Sequence, residues 1–122
     1  MKSKGLLFMS ERGTLELLED IADSIHRILD YTKGVSYEKF SKTRVIQDAV
    51  VRNFQVLGEA TKQLPSTFKE KHKQIPWSKV ARFRDKLVHH YSGINYDIVW
   101  EIIEDSLPEL HKQIKQILRK MK

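Results

Sequence analysis

Arg82-Phe83-Arg84-Asp85-Lys86-Leu87-Val88-His89-His90-Tyr91 concentrates more chemistry than any other run of this chain. Pro76 is placed to open a helix before it and Ser92-Gly93 to end one after it, so the run reads as helical. At about 100° per residue, Trp77, Val80, Leu87 and Val88 then share an apolar stripe, and Arg84 and Tyr91 fall in the middle of it. A guanidinium there keeps its charge and needs a partner, for which Asp85, Glu59 and Asp48 are candidates. On the same wheel His89 lies roughly 140° from Arg84, close to Arg82, in a last turn whose dipole favours imidazolium. The run fixes the fold class as helical and raises a question about function.

Outward from it, the same periodicity recurs in both directions. Leu15, Leu18, Ile21, Ile25 and Ile28 or Leu29 recur at helical spacing after a patternless stretch, so residues 1–12 read as a tail or extension and 13–122 as one helical domain. Gly34 supplies a C-cap, and Ser36 an N-cap for a long second helix through Phe40, Ile46, Val50, Phe54, Leu57 and Leu64, with Val45 widening its stripe. Pro65 closes it. Lys69-Glu70-Lys71-His72-Lys73 reads as a short solvated helical turn or loop. After the central run, Asn95 caps a last helix carrying Ile103, Leu107, Leu110, Ile114, Ile117 and Met121, which Pro108 bends unless the helix restarts there. The expectation is all-α, an antiparallel bundle of four long helices plus one short one, with no strands.

Composition narrows the class further. A chain of 122 residues suits one domain, and it holds no run of about 18 apolar residues that could span a membrane. Gly5 to Met9 is too short for a secretory hydrophobic region, and zero cysteines exclude disulfides, thiol catalysis and Cys-based metal sites, in keeping with a cytoplasmic protein. A formal charge of +6 favours anionic partners such as nucleic acid. No glycine-rich phosphate loop, nucleophile elbow, two-metal carboxylate set or His-x-x-x-His pair is present, so kinase, hydrolase and zinc chemistry have no residues to rest on. No metal or cofactor is expected.

Arg and His together suit another chemistry. Cleaving RNA without a metal needs an acid or base near the 2′-hydroxyl and leaving oxygen, and a cation on the phosphate. Histidine titrates near neutrality and arginine offers a planar fork to phosphate oxygens. One Arg and one His per chain make a thin site, which points to two chains supplying it across a two-fold axis. The bland alternatives are a polar helix terminus for His89 and His90 and an ion pair for Arg84.

Arg84-x-x-x-x-His89-x-Tyr91 resembles the Arg-x4-His-x-Tyr signature of HepT-like proteins of the HEPN ribonuclease superfamily. The resemblance extends through Val51 to Ala60, Ile75-Pro76-Trp77, Phe83 to His89 and Val99 to Ile103, and Met9-Ser10-Glu11 looks like the usual start of such proteins. It implies a homodimer with Arg84 and His89 as the catalytic pair in a cleft at the interface, acting on RNA as the toxin of a toxin–antitoxin pair. It also implies a MntA-like nucleotidyltransferase antitoxin that transfers AMP to Tyr91. Asp85, His90 and Arg82 are accessory candidates, and Ser92 stands where many relatives carry an aromatic residue. The alternative is a catalytically inactive helical dimer that binds the nucleotidyltransferase.

Overall fold

The computed structural model describes the backbone of residues 2–89 and 93–122 and the side chains of 13–87 and 93–122. The first helix, α1 (Lys2–Thr32), carries its backbone back through the stretch expected as a tail. It stops before Gly34, whose φ of +71° only glycine adopts freely. Leu18, Ile21, Ile25 and Ile28, at steps of three and four, are all fully buried.

The second helix is divided where one continuous helix was expected. Ser36 caps a short α2 (Tyr37–Lys42) by accepting from the Lys39 N–H, and α3 (Arg44–Gln63) follows. Between them Thr43 is extended, with φ −113° and ψ 94°. The buried Gln47 side chain donates to the Phe40 carbonyl at 3.0 Å and so ties the two pieces together. Val45, expected on the stripe, is 79% exposed, because the break resets the face that α3 presents. The helix ends at Leu64, which is extended as a residue before proline must be.

Next come α4 (Ser66–Lys71), α5 (Trp77–Ala81) and α6 (Phe83–Leu87). The central run is therefore not one helix. Arg82, at φ −94° and ψ 3°, separates α5 from α6, and Val88–His89 (β1) leaves helical geometry to pair antiparallel with Gly93–Ile94 (β2). Asn95 is held on both sides: its N–H donates to the Leu87 carbonyl at 2.7 Å, and its side chain caps α7 (Tyr96–Asp105) by accepting from the Asp97 and Ile98 N–H groups. Ser106 ends α7, and α8 (Leu107–Met121) restarts with Pro108 in its first turn, where a missing N–H costs nothing.

Side-chain pairs give the helix directions. Lys122 reaches Glu19 at 3.0 Å while His111 lies against His26, so α8 runs antiparallel to α1. Residues 17–20 of α1 share a cavity with 52–63 of α3, whereas Arg27 and Tyr31 share one with Ala49 to Asn53, so this pair is antiparallel too. Phe40 packs against Tyr96 and Trp100, with ring centroids at 5.9 and 5.1 Å, and pins α2 to α7. The fold is the expected all-α one. Among the described residues it has four helices of ten residues or more, four short ones rather than one, and the small β1–β2 pair.

Candidate active site

Arg84 lies on α6, and α6 and α5 both pack on α3. The approach is close because α3 carries glycine at position 58: a Cβ there would stand 3.3 Å from the Ala81 carbonyl oxygen and 3.6 Å from Arg84 Cβ. Phe83 takes the inward position, fully buried edge-to-face on Phe54 with centroids 6.2 Å apart. Arg84 is consequently not in the middle of the buried stripe. Its side chain is 45% exposed, since the break at Arg82 interrupts the continuous helix on which the expectation rested.

The guanidinium does have one of the expected partners. Arg84 Nη1 stands 3.9 Å from Glu59 Oε1 on α3, a long contact between exposed groups worth at most about 1 kcal/mol. Asp85 and Arg82 are both exposed. Arg84 forms part of the wall of an open cavity of about 430 Å3 between α1 and α3, together with Asp20, Arg52, Gln55 and Gln63. Sequence reading missed Arg52 and Gln55 as members of this wall. The signal was present, because Arg52 and Glu59 stand seven apart and share a face of α3.

His89 is described by its backbone alone. It lies in β1, its Cα opposite Gly93, rather than in the last turn of a helix. The angle of roughly 140° drawn from Arg84 therefore does not apply, for helical spacing ends at Leu87. The β2 partner Gly93 has φ +83°, a conformation that suits glycine. His90 and Tyr91 lie outside the described residues, as does Ser92.

Histidines elsewhere have altered titration. Burial, Lys115 and His26 hold His111 below its ordinary pKa, and burial, Lys120 and Lys71 do the same to His72. Among the described residues, no three His, Cys, Asp or Glu gather as metal ligands, and no helix is long and apolar enough to cross a membrane.

Comparison with known proteins places the chain. Residues 21–117 match the family described as Ribonuclease HepT-like. A relative from Caldanaerobacter subterraneus, provisionally named an RNase, is 47% identical over 86% of this chain and 94% of its own length. One from Methanocaldococcus jannaschii, also provisionally named an RNase, is 40% identical over 91% of this chain and 92% of its own. A Thermococcus cleftensis protein provisionally named ribonuclease HepT is 36% identical over 88% and 97%. No solved structure matches the chain. The family match over residues 21–117, together with relatives of such identity and coverage, makes this chain a member of the HepT-like family.

Proposed function

We propose that the protein is a metal-independent endoribonuclease, the toxin of a toxin–antitoxin pair, acting as a homodimer. The observation that carries this reading is the exposed Arg84 guanidinium on the wall of an open cavity, held, among the described residues, by a long contact to Glu59. An arginine so placed is free to exchange that contact for a phosphate, which its planar fork grips through two oxygens. His89, five residues on, serves as general acid or base. The 2′-oxygen attacks phosphorus and loses its proton, while the bond to the leaving oxygen breaks and that oxygen gains one. Arg84 holds the charge that builds on the phosphate oxygens. The nucleophile belongs to the RNA itself, so no metal-bound water is required.

Silencing follows from the same segment. A nucleotidyltransferase partner transfers AMP from ATP to the Tyr91 phenol oxygen with release of pyrophosphate, and the added phosphate repels RNA from Arg84 and His89. Asp85, His90 and Arg82 are accessory groups. A second reading has a specific observation behind it: the Glu59 contact would make Arg84 merely structural, in an inactive dimer that binds the nucleotidyltransferase.

Cleavage of RNA in EDTA by purified protein separates the two. Wild type should cleave, with a rate per chain that falls on dilution as dimers dissociate. Arg84→Ala and His89→Ala should each be slower by about 100-fold or more. Co-expression with the nucleotidyltransferase should add the mass of AMP to the Tyr91 peptide and abolish cleavage, and Tyr91→Phe should escape. Cleavage indifferent to both Ala variants, or obtained only with added divalent metal, sinks the catalytic assignment.

A further inference from the structure

A strong local excess of positive charge sits at the α4–α5 corner. From residue 69 to 82 stand Lys69, Lys71, Lys73, Lys79 and Arg82 against Glu70 alone, four of the formal net +6. Sequence alone reads the first part of this run as a solvated face. The fold shapes it into a groove of about 530 Å3 walled by Lys69, Lys73, Lys79 and Arg82 over Pro76 and Trp77. The floor is fixed, because Trp77 is only 6% exposed, its indole N–H donates to the His72 carbonyl at 3.0 Å, and its ring lies 5.8 Å from that of Phe68.

Charge balance distinguishes this groove from the cavities between α1 and α3. There Arg27, Arg52 and Arg84 are matched by Asp20, Asp23 and Glu59. At the α4–α5 corner Lys69, Lys73, Lys79 and Arg82 line the groove against the single carboxylate of Glu70, and the cations are mostly lysines, which hold phosphates as point charges and read no base. Arg82 ends the groove two residues before Arg84, on the same segment as the candidate active site.

We propose that the α4–α5 groove binds the phosphate backbone of a single-stranded RNA segment flanking the scissile position, independently of its sequence. It raises affinity for long substrates and touches no reacting atom. The inference rests on the ribonuclease reading above. A backbone-tracking basic groove of this kind is how single strands are held without base readout.

The test compares Lys69→Glu/Lys73→Glu/Lys79→Glu with Lys33→Glu/Lys39→Glu/Lys42→Glu, which makes the same change in net charge on exposed lysines far along the chain. Binding is read by anisotropy of a labelled 2′-O-methyl RNA, which cannot be cleaved, and turnover on the matching RNA. The groove variant should bind about tenfold or more weakly than the control variant and raise KM for long RNA, leaving kcat on a dinucleotide unchanged. Its salt slope should fall by about 2, for three lost contacts at roughly 0.7 each. Equal weakening in both variants, or none, overturns the groove and leaves the ribonuclease reading intact. Lost affinity for poly-glutamate with RNA affinity preserved overturns it in favour of an acidic protein partner. Wild type that binds through the groove yet cuts no RNA supports the groove and overturns the ribonuclease reading.

Discussion

Gly58 has no functional group, yet it sets where Arg84 stands. Alanine there gains about 1 kcal/mol of helix propensity but puts its methyl 3.3 Å from the Ala81 carbonyl oxygen, so the two effects should nearly cancel. Valine adds atoms that the gap cannot hold, at a cost of about 1–3 kcal/mol, and should push α6 off α3. Denaturant unfolding and RNA cleavage on Gly58→Val should both show loss; a variant as stable and active as wild type would refute the positioning argument. Glu59 was legible as an ion-pair partner of Arg84. The exposure of Arg84 was not, because it depends on a break at Arg82 that no breaker residue announces.

Gly34, Ser36, Pro65 and Asn95 stand where their residue types predict, whereas the helix expected to run to Ser92-Gly93 ends at Leu87, with Gly93 in β2. The breaks at Thr43 and Arg82 were not legible, since both fall inside runs whose apolar spacing continues, and tertiary contacts there outweigh local preference. The β1–β2 pair was equally hidden, two residues being too few to show alternation. The α1–α8 contact carries a consequence of its own. His111, part-buried on α8, has its pKa lowered by burial, Lys115 and His26. The folded state thus resists a proton that the unfolded chain accepts, so the contribution is fully present above the ordinary value of 6.5 and is lost as pH falls through it. Thermal unfolding should show wild type losing more stability than His111→Gln between about pH 7.5 and 5; parallel losses would contradict this.

At the scale of the molecule, periodicity and turn residues sufficed for an all-α bundle because helical repeats are local signals. What the bundle encloses was beyond that reach: the cavities, the Glu59 contact and the α4–α5 groove all join residues from separate helices. Helix order also bears on how the chain acquires its shape. The α1–α3 pair closes across a short connection, whereas α8 meets α1 through contacts such as His26 with His111, 85 positions apart. Loop-closure entropy favours the nearer pairing first. Pulse-labelled hydrogen exchange should find α1 and α3 amides protected before those of α8, and simultaneous protection would count against this order. Until α8 arrives, part of the apolar face of α1 has no cover, so a chain stalled or truncated before residue 107 would expose it to other chains and to chaperones.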